Sequence, residues 1–133
     1  MAVEVAILMV FCHVIADFVL QPIALSQMKC KAWWINECSK NGIAFDEYKS
    51  DYIVALIMHG ISWSVMILLP IMFLMNIEDW LLLKLFLINA GIHAFVDDQK
   101  TNRHKINLWT DQFIHIWQML ITYYIVVFNP NLL

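Results

Sequence analysis

Four long apolar runs, separated by polar connections, dominate the pattern of this chain. Each run is rich in Ile, Leu, Val, Met and Phe and is close to the ~20 residues with which an α-helix crosses ~30 Å of hydrocarbon. The runs cover residues 2–20, 52–75, 79–97 and 109–128. They predict an all-α fold in which a single membrane domain, residues 1–133, forms an integral membrane four-helix bundle.

The connection between the first two runs, residues 21–51, predicts an additional amphipathic helix at the membrane surface. Residues 32–35 (Ala-Trp-Trp-Ile) form an apolar centre with charged residues on both sides, and Trp favours the membrane boundary. Asn41-Gly42 is typical of a helix end. Pro70 and the polar turn at residues 78–80 indicate that the second and third runs form a hairpin.

The composition indicates lipid as the solvent. Hydrophobic residues make up 62% of the chain and charged residues 14%, with a mean hydropathy of +0.68. A net charge of -3 without a basic stripe argues against a nucleic-acid partner. Cys12, Cys30 and Cys38 lack metal or redox spacing and are interpreted as free thiols. The first run lacks a basic leader and a cleavage pattern, so we expect it to remain a membrane helix.

His and Asp residues interrupt the apolar runs in a recurring pattern. Three runs carry a His and an Asp four residues apart, and the other carries a lone His. Because an α-helix repeats every ~3.6 residues, this spacing puts both side chains on one face. Such residues are costly in hydrocarbon and normally mark a functional site or a buried pair. They are His13, Asp17, His59, His93, Asp97, Asp111 and His115.

The position of these residues within each run predicts that they share one depth. Neighbouring helices of an up-down bundle run in opposite directions, so residues share a depth when they come late in one helix and early in the next. The pairs of the first and third runs come late, whereas His59 and the pair of the fourth run come early. We therefore expect one polar layer beneath the surface that carries connections 21–51 and 98–108.

Basic residues are concentrated on the same side of the bundle. The two connections there hold seven Lys and Arg residues, whereas the opposite side has only Lys84. By the positive-inside tendency, the layer should face the cytoplasm in the inner membrane, with both termini outside.

The His and Asp residues predict a metal site. Imidazole and carboxylate suit Zn, Mn or Fe, and two ligands at i and i+4 can bind one ion. The seven residues suffice for one or two divalent transition-metal ions, with Asp17, Asp97 or Asp111 left as a general base. Candidates for supporting the ligands or binding substrate are Gln21, Lys29, Asn89, Lys100 and Gln118.

Each of these residues also has a structural interpretation. A lone His59 more often hydrogen-bonds within a helix bundle, and one His/Asp pair could simply join two helices. Ser62, one turn after His59, could act as a nucleophile, but such serines usually bond locally. Three pairs at matched depth favour a functional site.

The polar motifs form an ordered set along the chain: H-x-x-A-D-F-x-L-Q from His13, then Lys29 and His59, H-A-F-V-D-x-x-K from His93, and D-Q-x-x-H from Asp111. This set resembles a family of small bacterial and phage membrane proteins catalogued as domain of unknown function 3307. The resemblance spans nearly the whole chain and departs at connection 21–51 and at Asp98. It implies no activity. A looser similarity of the pairs to membrane-bound metal-dependent hydrolases supports metal binding by analogy only.

Together these features predict a metal-dependent hydrolase that acts on a phosphorylated or acylated lipid-linked substrate. An anionic headgroup would be held by a basic rim formed by Lys29, Lys31, Lys100, Arg103 and Lys105.

Two alternatives stay open. One is a non-catalytic membrane interaction protein that binds a protein partner through 21–51, such as a host membrane protein if the chain is phage-encoded. The other is a proton or metal-ion carrier, which the scarcity of ionisable groups in the outer half of each run disfavours. A metal site with an open position would favour the hydrolase, and a closed hydrogen-bonded layer would favour the interaction protein.

Overall fold

The computed structural model describes residues 2–128, which form helices and no strands, and this confirms the all-α part of the prediction. A π-helix at Ile15–Val19 continues the first helix, and a short 3-10 helix covers Phe45–Glu47. The six α-helices within these residues are α1 (Ala2–Val14), α2 (Ile23–Met28), α3 (Lys31–Asn41), α4 (Asp51–Leu74), α5 (Asp79–Thr101) and α6 (Leu108–Phe128).

The four long helices pack side by side around a shared core. Helix α4 contacts α1 and α5, and α6 contacts the same two helices. Only residues 75–78 join α4 to α5, so the predicted hairpin is confirmed. The core includes the buried side chains of Val5, Met9, Trp63, Ile67, Ile71, Leu85 and Met119.

Within residues 2–128, two segments are long and apolar enough to cross a membrane: Phe45–Leu74, which contains α4, and α5. The other two predicted spans are helical, as α1 with its π-helix and as α6. Large apolar side chains are exposed on the outer faces of all four helices, among them Phe11, Phe73, Leu87 and Trp117. An apolar surface of this kind is typical of contact with lipid or with another protein.

The predicted surface connection is largely helical. Helix α3 ends at Gly42, whose φ of 66° lies in the left-handed region that favours glycine, so the predicted end at Asn41-Gly42 is confirmed. Trp34 stacks on Tyr48 with ring centroids 5.8 Å apart, and its Nε1 donates to the Met28 carbonyl. These contacts hold α3 against the parts of the 21–51 connection that precede and follow it.

Helices α4 and α5 approach each other closely at Gly60. A Cβ atom at this position would lie 2.5 Å from the carbonyl oxygen of Ala90 and 3.3 Å from the Cβ of Ala94. Small residues permit such close helix contacts in membranes. The neighbouring His59 lies against His93 of α5, with ring centroids 4.9 Å apart.

Gly60→Ala is expected to lower the free energy of unfolding by about 1–3 kcal/mol, because the Ala90 backbone cannot move aside without separating the two helices. Gly91→Ala is the matched control, since open space surrounds its Cβ position. The greater helix propensity of alanine should leave that variant unchanged or up to ~1 kcal/mol more stable. Thermal unfolding in detergent measures both, and equal melting temperatures would contradict the close contact.

Candidate metal centre

All seven predicted His and Asp residues come together in one buried cluster. Four elements and the π-helix supply them: α1, the π-helix at Ile15–Val19, α4, α5 and α6. Asp17 has a side chain that is 8% exposed, and each of the other six residues is at most 3% exposed. At the start of α6 the Asn107 side chain accepts a hydrogen bond from the Thr110 amide, which caps the helix one turn before Asp111.

Asp17, His59 and His93 form the first group of possible ligands. The Oδ1 atom of Asp17 lies 3.6 Å from His59 Nε2 and 3.9 Å from His93 Nε2. The ligand atoms of the three residues all lie within 4.8 Å of one another. The group joins the π-helix, α4 and α5.

His93, Asp97 and His115 form the second group, so His93 belongs to both. The two carboxylate oxygens of Asp97 face different histidines. Its Oδ2 lies 3.7 Å from His59 Nε2 and 4.0 Å from His93 Nε2, whereas its Oδ1 lies 3.7 Å from His115 Nε2. Asp97 therefore lies between the two groups.

Asp111 and His13 flank this centre. Asp111 Oδ1 lies 3.4 Å from His115 Nε2, next to the second group. His13 Nδ1 accepts a hydrogen bond of 2.9 Å from the indole N–H of Trp63 and lies 3.9 Å from Asp17 Oδ2. His13 belongs to neither group, and one of its two nitrogens already has a partner.

Several of the clustered atoms have no hydrogen-bond partner among residues 2–128. They are both ring nitrogens of His93 and of His115, and one oxygen each of Asp17 and Asp111. Buried polar atoms are normally satisfied. Ligands of a tetrahedral ion with bonds of about 2.0–2.2 Å lie roughly 3.3–3.6 Å apart. The carboxylate-to-imidazole distances given above for the two groups, 3.6–4.0 Å, are close to that range, and all ligand atoms within each group lie within 4.8 Å of one another. The cluster can therefore hold a metal ion.

Two lysines form ion pairs with the same carboxylates. Lys29, which is 3% exposed, places Nζ 2.5 Å from Asp97 Oδ2. Lys100 Nζ lies 2.5 Å from Asp111 Oδ2 and 3.4 Å from Asp97 Oδ1. Lys29 thus lies inside the cluster, and its predicted place on the basic rim is wrong because it is buried against Asp97.

Gln112 and Trp63 were absent from the candidates that the sequence supplied. The Nε2 atom of Gln112 donates to Asp17 Oδ2 and to Asp111 Oδ2, both at 3.1 Å. Trp63 stacks on His93 with ring centroids 4.4 Å apart. The available signals were the position of Gln112 next to Asp111 and the four-residue spacing from His59 to Trp63.

The π-helix at Ile15–Val19 contains Asp17. Its wider turn is closed by a 2.8 Å hydrogen bond from the Leu20 amide to the Ile15 carbonyl. π-Helical turns are rare and occur frequently at functional sites. The wider turn changes the directions in which the side chains after Val14 point around the helix axis. The α-helical period alone does not predict these directions.

Asn89 and Gln118 lie deeper in the bundle and bond to each other. Gln118 Nε2 donates to Asn89 Oδ1 at 2.9 Å, and Asn89 Nδ2 donates to Thr122 Oγ1 at 2.9 Å. These bonds join α5 to α6. Within the described residues, neither Asn89 nor Gln118 forms a hydrogen bond with the unpartnered ring nitrogens of His93 and His115.

A cleft of about 450 Å³ opens onto the cluster. Asp17, His59 and Asp97 line it together with uncharged polar side chains, one cation and apolar residues at its mouth. The polar residues are Gln21, Ser26, Gln27 and Gln112, the cation is Lys100, and the apolar residues are Phe18, Ile23 and Leu108. Ligand sites typically enclose about 300–1,000 Å³, so the cleft can admit a ligand to these residues.

Comparison with protein-family models, with curated proteins and with solved structures gives no match to this chain. Membership in the family catalogued as domain of unknown function 3307 stays a prediction. The function is inferred from the geometry of the cluster and its cleft.

Proposed function

We propose that this protein is an integral membrane four-helix bundle in which α1, α4, α5 and α6 cross the inner membrane and α3 lies at its cytoplasmic surface. The length and apolar character of α4 and α5 support the proposal, as do the exposed apolar side chains on all four helices. The ionisable cluster faces the interior of the helix packing, as ionisable residues at membrane depth normally do.

The centre is proposed to bind two divalent transition-metal ions, Zn, Mn or Fe. The observation that carries this proposal is that two ligand groups share His93 and that Asp97 directs one oxygen toward each group. Pairs of ions held close together stabilise both the attacking and the leaving oxygen in phosphoryl transfer. A carboxylate between the two groups is suited to hold such a pair.

The proposed reaction is hydrolysis of a phosphorylated or acylated lipid-linked substrate at the cytoplasmic interface. Bound divalent ions supply Lewis acidity and an activated water. Lys100, on the cleft, is placed to hold an anionic headgroup, and Gln112 orients Asp17 and Asp111 through its two hydrogen bonds.

The activity is tested by measuring release of phosphate or headgroup from phospholipids and polyprenyl phosphates in detergent. The purified protein is assayed after chelation and after addition of Zn, Mn or Fe(II). Ion-dependent release from at least one member of the panel is expected. No release by metal-loaded protein across the whole panel would reject the hydrolase.

The second candidate function is a non-catalytic membrane interaction protein. It is favoured by the ion pairs of Lys29 and Lys100, which already compensate two of the three buried carboxylates. In that case the cluster holds the helices together, and the 21–51 connection binds a protein partner. Metal analysis separates the two functions, because the interaction protein needs no ion.

The orientation predicts how one cysteine reacts. In a variant that retains Cys30 alone, the partly exposed thiol should resist an impermeant thiol reagent in intact cells and react after permeabilisation, because the two connections on its side of the bundle carry seven of the eight Lys and Arg residues. An Asn76→Cys variant without other cysteines is the control, since this exposed residue lies at the opposite end of the α4–α5 hairpin and should react in intact cells. The reverse pattern would place the centre outside.

A further inference from the structure

The ammonium group of Lys29 lies against the same carboxylate oxygen that faces the first ligand group. Asp97 Oδ2 is 2.5 Å from Lys29 Nζ, 3.7 Å from His59 Nε2 and 4.0 Å from His93 Nε2. Lys29 is as fully buried as its partner. The ammonium thus provides the positive charge that a buried carboxylate requires.

A divalent ion held by the first ligand group (Asp17, His59 and His93) and by this oxygen would lie close to the Lys29 ammonium. Two cations on one buried oxygen repel each other strongly, since few water molecules can screen them there. The pair formed by Lys100 differs, because Lys100 contacts the other oxygen of Asp97 and is partly exposed on the cleft. Lys29, in contrast, is buried in its observed position.

We propose that Lys29 is an internal counter-cation that an incoming metal ion must displace. This inference rests on the proposed metal centre and adds a competition at Asp97 between the incoming ion and a charge of the protein itself. The ion replaces the ammonium at Asp97 Oδ2, and the lysine side chain moves out of the cluster.

The backbone around Lys29 is held in place independently of its side chain. Asn102 of the α5 C-terminus donates from Nδ2 to the Lys29 carbonyl at 3.0 Å and accepts at Oδ1 from the Lys31 amide at 2.8 Å. These bonds hold the junction between α2 and α3. Helix α2 supplies Ile23, Ser26 and Gln27 to the cleft. Release of the Lys29 side chain therefore leaves this wall of the cleft attached by the Asn102 contacts.

Chemical acetylation of the purified wild-type protein tests the displacement directly. Mass spectrometry should find Lys29 protected in chelated protein and acetylated at least fivefold more after loading with Zn²⁺ or Mn²⁺. Lys31 is the internal control, because its exposed side chain should react equally in both states. Lys29 that stays protected while the protein binds the ion would overturn the inference.

Ion affinity provides a second measurement. Lys29→Met removes the competing cation, so it should bind Zn²⁺ or Mn²⁺ at least tenfold more tightly than wild type, whereas Lys31→Met should stay within twofold. If Lys29→Met binds the ion and the wild type does not, the competition is supported, but a metal-dependent function of the wild type is rejected. Equal affinity of Lys29→Met and wild type would overturn the inference alone, and binding by neither would overturn the metal centre as well.

Discussion

Replacing His93 with alanine is expected to remove both metal ions, from about two per chain to nearly none, because His93 is shared by both ligand groups. His115→Ala should lose only the ion of the second group. Elemental analysis after dialysis against a weak chelator measures this difference. His93→Phe should lose the ions as well, while its ring can keep the stack on Trp63.

His13→Ala is the matched control for these variants. It removes a buried histidine of the same cluster, but His13 lies outside both groups and bonds to Trp63. Its metal content should stay near that of the wild type, although the Trp63 N–H loses its partner and the protein becomes less stable. Equal loss of metal from His13→Ala and His93→Ala would show that the ions are held in another way.

The convergence of the seven residues could be predicted because it depends on only two regularities. The helical period places His93 and Asp97 on one face, and the alternating direction of neighbouring helices brings late positions of one helix to early positions of the next. Burial of polar residues in an apolar run then orients that face inward. None of these steps depends on the conformation of the connections, so the cluster could be predicted from the sequence.

The contacts of Lys29 could not be predicted in the same way. Lys29 lies in a long connection, and its burial depends on how α2 and α3 fold against the end of α5 through Asn102. A lysine in a polar, basic stretch is most simply interpreted as solvated. The π-helix around Asp17 has no sequence pattern of its own, and the division into two ligand groups depends on separations of a few ångströms that periodicity does not resolve.

Asp97→Asn is expected to abolish turnover, with a loss of at least about 100-fold, since even residues that only support metal ligands cost 10–100-fold when changed. The substitution keeps the side-chain volume but removes the charge and one of the two ligand oxygens that face the two groups. Asp98→Asn is the control at the adjacent position. Asp98 bonds to Asn102 and Arg103 outside the cluster, so this variant should retain most of its activity.

Loss of folding must be separated from loss of catalysis in this variant. Asp97→Asn leaves the buried Lys29 ammonium without its carboxylate, and removing one partner of a buried ion pair costs about 3–5 kcal/mol. The double variant Asp97→Asn/Lys29→Met removes both charges and should recover most of the lost melting temperature without recovering turnover. Release of phosphate or headgroup is then compared among wild type, Asp98→Asn and the double variant. Equal release by wild type and the folded double variant would reject Asp97 as a ligand and favour the non-catalytic interaction protein.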